Sequence, residues 1–175
     1  MARVSDPPET HYTLPLDFAA ALGQAVASFG WLEEVMKRAL YSLDRARLAG
    51  DLSEEELQRW LRHMDDLADD SMGTLVEQLD AALRRHPGLP DRIPLNDRLV
   101  ALKIQRNLLC HASWRPAGAG RWHPAFVNAK GEPYGTDFSV EDLLATRDET
   151  VALGRKIVSI MHATGIPGQW AGDDV

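Results

Sequence analysis

The sequence predicts an all-α fold: a helical bundle of four to five helices with a small β-hairpin inserted before the last helix. Three observations predict it. Apolar residues recur at alternating spacings of three and four through most of the chain, the period of a buried helix face. Ser or Asp residues that can cap a helix stand ahead of those runs, in two cases with acids close behind. Only the stretch from Arg121 to Phe138 departs from the pattern, with aromatics and Val set around turn residues.

Residues 1–16 read as a poorly ordered N-terminal arm broken by Pro7, Pro8 and Pro15. Asp17 caps a first helix that reaches about Asp44. Its apolar seam is Phe18, Leu22, Ala25, Phe29, Leu32, Met36, Ala39 and Leu43, a heptad-like spacing that wants helical neighbours. "SEEE" at Ser53–Glu56 is a capping box, and Leu57, Leu61, Met64 and Ala68 follow it at helical spacing. "DDSMG" reads as a break, yet Leu75, Leu79 and Ala82 resume in phase. Residues 53–86 are therefore one bent helix or two. "HPGLP" ends this region.

The next helix starts near Leu95, with Asn96 or Asp97 as a competing cap, and runs to about Ala112. At 100° per residue, Leu95, Leu99, Leu102, Arg106 and Leu109 form one stripe, and Val100, Ile104, Leu108 and His111 a second, nearly opposite. Two apolar sides suggest a helix that is central, or one that lies between the core and a partner subunit. Arg106 and His111 each stand where that pattern would otherwise put an apolar residue. A hairpin follows around "AKGE", with Gly131 in its turn. Ser139-Val-Glu-Asp opens the last helix, to about Thr164, and residues 165–175 are a tail. Residues 17–164 thus form the helical domain.

A chain of 175 residues suits one such domain. A single cysteine, Cys110, excludes an internal disulfide framework and a Cys-based zinc site. It also fits a reducing, cytoplasmic compartment. No secretory leader or membrane span is read from the sequence. The net charge of −7 argues against a broad basic field for nucleic acid, so any such role must rest on a small local cluster.

"RNLLCHASW", Arg106–Trp114, holds the chemistry-bearing constellation. Cleaving RNA without a metal requires a base that titrates near neutrality, which His supplies. It also requires fixed positive charge at the phosphate, which Arg supplies as a planar fork. Asn107, one turn before His111, can hold a sugar or phosphate oxygen or fix the imidazole. The chain holds a second Arg–His pair, Arg155 and His162, without an Asn or an apolar helix around it. Five residues of regular helix separate Arg106 and His111 by about 140°. Either the helix loosens before His111, or two protomers each supply part of a joint cleft, which is the preferred reading.

The simpler reading is architectural. His suits a helix C-terminus through the dipole. Arg106 can tie helices together through Glu33, which flanks the first helix's seam between Phe29 and Met36. His123 suits a surface strand, or the edge of the same cleft. Trp114 and Trp122 suit the core, or a platform on which a base stacks. Cys110 is expected to be a buried thiol. His63 and Asp66, in an acidic run, fit a solvated helix face better than a metal site. No cofactor motif is found.

"RNLLCH", the Glu-bearing "GWLEEVMKRAL", "SMGTLVEQL" and the hairpin beyond resemble the HEPN superfamily, over about Asp17 to Thr164. The resemblance implies a helical bundle that dimerises. It also implies metal-independent endoribonuclease activity, often in toxin–antitoxin or antiviral systems, with a cognate antitoxin or regulatory protein as a further partner. On this resemblance the family's Arg is Arg106, its adjacent polar residue Asn107, its His His111 and the acid supporting the Arg Glu33. Other members are non-catalytic modules that bind a partner protein or small ligand.

Overall fold

A computed structural model describes residues 12–47, 53–68, 71–86, 92–127, 131 and 133–163. Five helices and one two-stranded hairpin follow in the order α1 (Leu16–Arg47), α2 (Glu54–Ala68), α3 (Met72–Arg84), α4 (Arg92–His111), β1 (Ser113–Gly118), β2 (Arg121–Ala125) and α5 (Val140–Ala163). The fold is the expected helical bundle, with the hairpin directly before the last helix.

Helix α1 is the axis. It packs most extensively on α5, then on α3 and α4, and only slightly on α2. Seven of its eight expected seam residues are buried, from Phe18 to Leu43; Leu22 is the half-buried one. Side-chain pairs fix the directions. Arg147 reaches Gln24 and Gly154 lies against Trp31, so α5 runs parallel to α1. Arg106 reaches Glu33 and Trp114 meets Phe18, so α4 runs antiparallel to it. Gly154 permits the close approach of α1 and α5. A Cβ there would stand 2.2 Å from the Trp31 ring.

Two capping boxes start helices where the sequence places them. The Ser53 amide donates to Glu56 Oε2 at 3.0 Å, and the Glu56 amide to Ser53 Oγ at 3.3 Å. Ser139 and Asp142 repeat the exchange at α5, at 2.8 and 3.2 Å. Each satisfies two amides that a helix start leaves unpaired. Residues 53–86 hold two helices, and Ser71 caps the second by accepting from the Thr74 amide.

The structure corrects five expectations. Of the arm, residues 1–11 lie outside the described residues, as do 164–175 of the tail. Tyr12 and Leu14, within the arm, pack on the core, because two large side chains find apolar neighbours beside the bundle. Helix α1 starts at Leu16, with Asp17 already in its first turn. Helix α4 starts at Arg92, since Pro94 is tolerated in a first turn, where its missing N–H costs nothing. The paired strands are Ser113–Gly118, upstream of the expected segment, and Arg121–Ala125, at its start. The turn between them runs through positive φ at Gly118, Ala119 and Gly120. Gly131 also has positive φ, and single bridges pair Val127 with Pro133 and Trp122 with Phe138. That second return therefore exists as bridges only; residues 128–130 and 132 are outside the described residues. Lastly, Leu108 is fully buried and Cys110 is exposed. The turn of α4 against the core places Leu108 inward and leaves Cys110 on an open flank.

Candidate functional site

Helix α4 stays regular through His111. The alternative in which it loosens is thereby removed. Arg106 and His111 point to different sides of one helix, about 140° apart.

Arg106 faces α1. Its Nε donates to Glu33 Oε1 at 3.2 Å, with the two side chains 27% and 20% exposed. Its Nη1 lies 3.4 Å from Asn107 Oδ1, a weak contact. Nη2 has no protein partner among the described residues. Glu33 thus fixes the guanidinium by one edge and leaves much of its fork available. The seam explains the placement. Leu32 and Met36 are buried, and Glu33, beside them, reaches the boundary where α4 packs.

His111 is exposed at the last position of α4. Its imidazole has no protein partner among the described residues. On a helical wheel Ile93, Val100, Ile104 and Asn107 each fall within about 40° of His111, as does the exposed Asp97. The three apolar members are 62%, 38% and 54% exposed. One solvent face of α4 is therefore an apolar stripe ending in Asn107 and His111. Within one copy, Arg106 leaves α4 on the side of α1 and His111 on the solvent side.

The two tryptophans behave as core. Trp122 is buried and packs against Phe18 at 5.7 Å between ring centroids. This removes it as a stacking platform for a base. Trp114, half-buried, meets Phe18 edge-on at 5.2 Å and Phe138 at 5.8 Å. Both sit on the inward face of the hairpin, because strand side chains alternate. His123 is on the other face, away from the core. Its Nδ1 pairs with Asp137 Oδ1 at 2.8 Å. The structure brings Glu33, Arg106 and Asn107 together, sets His111 on the adjoining stripe, and places His123 apart from them on β2.

Sequence reasoning missed Asp137 and Arg121. Arg121 Nη2 donates to the Asp137 carbonyl and to Asp142 Oδ2. These contacts span 16 and 21 residues, and no local pattern reveals them. The Ser139 amide, aided by the Ser139 hydroxyl and Arg121, holds the Asp142 carboxyl below its usual range despite partial burial. Arg98 does the same for Glu149 through two hydrogen bonds. Between these groups lies a pocket of about 350 Å³, whose lining includes Gln105, Arg121, Tyr134, Asp137, Asp142 and Glu149. Three carboxylates make it unsuited to an anion.

Residues 92–127 hold six Arg and Lys and one acid, Asp97, in a chain of net charge −7. Much of that charge is neutralised from elsewhere in the fold. Arg92 pairs with Asp80, Arg98 with Glu149, Arg106 with Glu33 and Arg121 with Asp142. Lys103 and Arg115 remain without an acidic partner among the described residues. Among those residues, no group of three His, Cys, Asp or Glu could hold a metal ion. No helix among them is long and apolar enough to cross a membrane.

No family model, curated protein or solved structure matches the chain.

Proposed function

We propose that this chain is a metal-independent endoribonuclease of HEPN type. It would act as a homodimer in the cytoplasm, as a toxin or defence component under a cognate antitoxin or regulatory protein. The observation that carries the reading is the exposed face of α4, where an apolar stripe runs into Asn107 and His111 beside a guanidinium fixed by Glu33. Pairing two copies along that stripe would bury Ile93, Val100 and Ile104. The joint cleft of this reading would set His111 of one copy beside Arg106 of the other.

In the joint cleft His111 takes the proton of the 2′-hydroxyl. The 2′-oxygen attacks the adjacent phosphorus, the bond from phosphorus to the 5′-oxygen breaks, and the departing oxygen takes a proton from water. Arg106 stabilises the charge that builds on the phosphate oxygens. Asn107 positions the sugar or phosphate. The products are a 2′,3′-cyclic phosphate and a 5′-hydroxyl. This route needs no cofactor, since the nucleophile belongs to the substrate.

The test is cleavage of RNA by purified protein in EDTA, with wild type, Arg106→Ala and His111→Ala shown to be equally folded and dimeric. Wild type is expected to cut and leave cyclic phosphate ends. Each variant should lose about 10²-fold or more of the rate. Equal behaviour of all three, active or inert, would remove the catalytic reading for that RNA.

A second reading is favoured by one observation, the engagement of Arg106 by Glu33 at 3.2 Å. In a non-catalytic dimeric helical module that binds a partner protein or small ligand, this pair would serve only to tie α1 to α4. Inert protein with an intact dimer would favour it.

A further inference from the structure

The hairpin and the bridge beyond it place three chemistry-bearing side chains in one row. Arg115 on β1 stands opposite His123 on β2. The bridge between Trp122 and Phe138 sets Asp137 opposite His123 in turn. Side chains alternate across a sheet, and directly opposed residues have Cβ atoms about 5 Å apart. The next row, Pro116, Trp122 and Phe138, therefore faces the other way, toward the core at Trp122 and Phe138 and open at Pro116, while Arg115, His123 and Asp137 face outward. Exposure agrees. Trp122 and Phe138 are buried, Arg115 is exposed, and the His123 and Asp137 side chains are each 37% exposed.

The row is built in depth. Asp142 holds Arg121, Arg121 holds the Asp137 carbonyl, and the Asp137 carboxylate takes Nδ1 of His123 at 2.8 Å. An ionised carboxylate only accepts, so this bond puts a proton on Nδ1. Nε2 is left without a protein partner among the described residues. Arg115 is likewise unpaired among them, although elsewhere in residues 92–127 most cations have been given an acid. With Nδ1–H committed to Asp137, Nε2 accepts in a neutral imidazole and donates only in the imidazolium form, so it is a free guanidinium beside that imidazolium that makes a donor set for a phosphate oxyanion.

We propose that Arg115 and His123 form a phosphate subsite on the outer face of the hairpin. The subsite would grip a phosphate of the substrate strand next to the one that is cut; in this it rests on the ribonuclease reading. Strand β1 begins two residues after His111, so Arg115, four positions beyond His111, is at most about 13 Å from it along the chain. Arg115 and His123 are positioning groups that select a polyanionic strand over a single nucleotide.

The test uses a 2′-deoxy oligonucleotide, which carries the phosphates but not the hydroxyl needed for cleavage. Full-length wild type, Arg115→Ala, His123→Gln and Asp137→Asn, all confirmed folded, are titrated with it and separately with inorganic phosphate. Imidazole nitrogen NMR follows His123. Arg115→Ala and His123→Gln are expected to weaken oligonucleotide binding about tenfold each. Each should also flatten the dependence of log K on log salt by about 0.7, the loss of one single-strand phosphate contact. Asp137→Asn should weaken binding less and alter the His123 nitrogen resonances. Arg155→Ala, which removes an exposed cation from α5, should change neither quantity.

Equal affinity and salt slope in all variants, with RNA still cut by wild type in a His111-dependent way, would overturn the subsite and leave the ribonuclease reading standing. Arg115-dependent binding of inorganic phosphate with no oligonucleotide binding would mark a free-phosphate site and overturn the strand placement. Absence of both kinds of binding would also overturn it. Tight, Arg115-dependent oligonucleotide binding without any RNA cleavage would support the subsite while the catalytic reading failed.

Discussion

Glu33 takes the Nε–H of Arg106 and leaves Nη2 of that guanidinium without a protein partner among the described residues. The same arrangement serves two ends. It ties α1 to α4 across 73 residues, and it fixes the direction of a cation that would bind phosphate. At the other face of α1, Gly154 shows how one side chain's absence sets a helix distance. The Trp31 ring occupies the space a Cβ would need. Gly154→Ala is expected to force α1 and α5 apart or to displace the indole, at a cost of about 1–3 kcal/mol. Chemical denaturation of the two proteins would check this, and equal midpoints would contradict the close-packed reading. A gain in helix propensity from Ala, about 1 kcal/mol, acts in the opposite direction and is smaller than the upper part of that range.

At the scale of elements, α4 divides its residues between two tasks. Leu95, Leu99, Leu102, Leu108 and Leu109 are buried against the core, while Ile93, Val100 and Ile104 stay exposed. Ile104→Asp should therefore leave monomer stability within about 0.5 kcal/mol of wild type and weaken self-association. Sedimentation over a concentration series would read the shift. An unchanged oligomeric state, dimer or monomer alike, would remove the stripe as the dimer contact.

Much of α4 and its neighbours was legible in the sequence because its signals are local. Ser53 with Glu56 and Ser139 with Asp142 are bonded as their spacing implies. Glu33 was legible through the seam it flanks. The hairpin was not, because Pro116 and Pro124 disguise its strands, and its hold on the bundle comes from Trp114 and Trp122 packing on Phe18. That contact spans about a hundred residues of chain and has no local signature. Asp137 was invisible for the same reason, since only the bridge at Phe138 brings it to His123.

At the scale of the whole molecule, an acidic chain keeps one stretch in which cations outnumber acids. Residues 92–127 are rich in Arg and Lys, yet the fold neutralises most of them and leaves Lys103 and Arg115 without acidic partners among the described residues. Recognition of an anionic strand would then depend on a few placed contacts, not on a long-range field. The proposal's central claim is that Arg106 of one copy works with His111 of the other, a reading prompted by a regular α4 that turns them to different sides within a single copy. Mixing Arg106→Ala with His111→Ala protein, under conditions that let subunits exchange, measures this most directly. A joint site predicts that two inactive proteins recover about a quarter of wild-type RNA cleavage, because half of the dimers are mixed and each regains one intact site. No recovery from exchanged, folded and dimeric subunits, against an active wild type, would contradict the shared site.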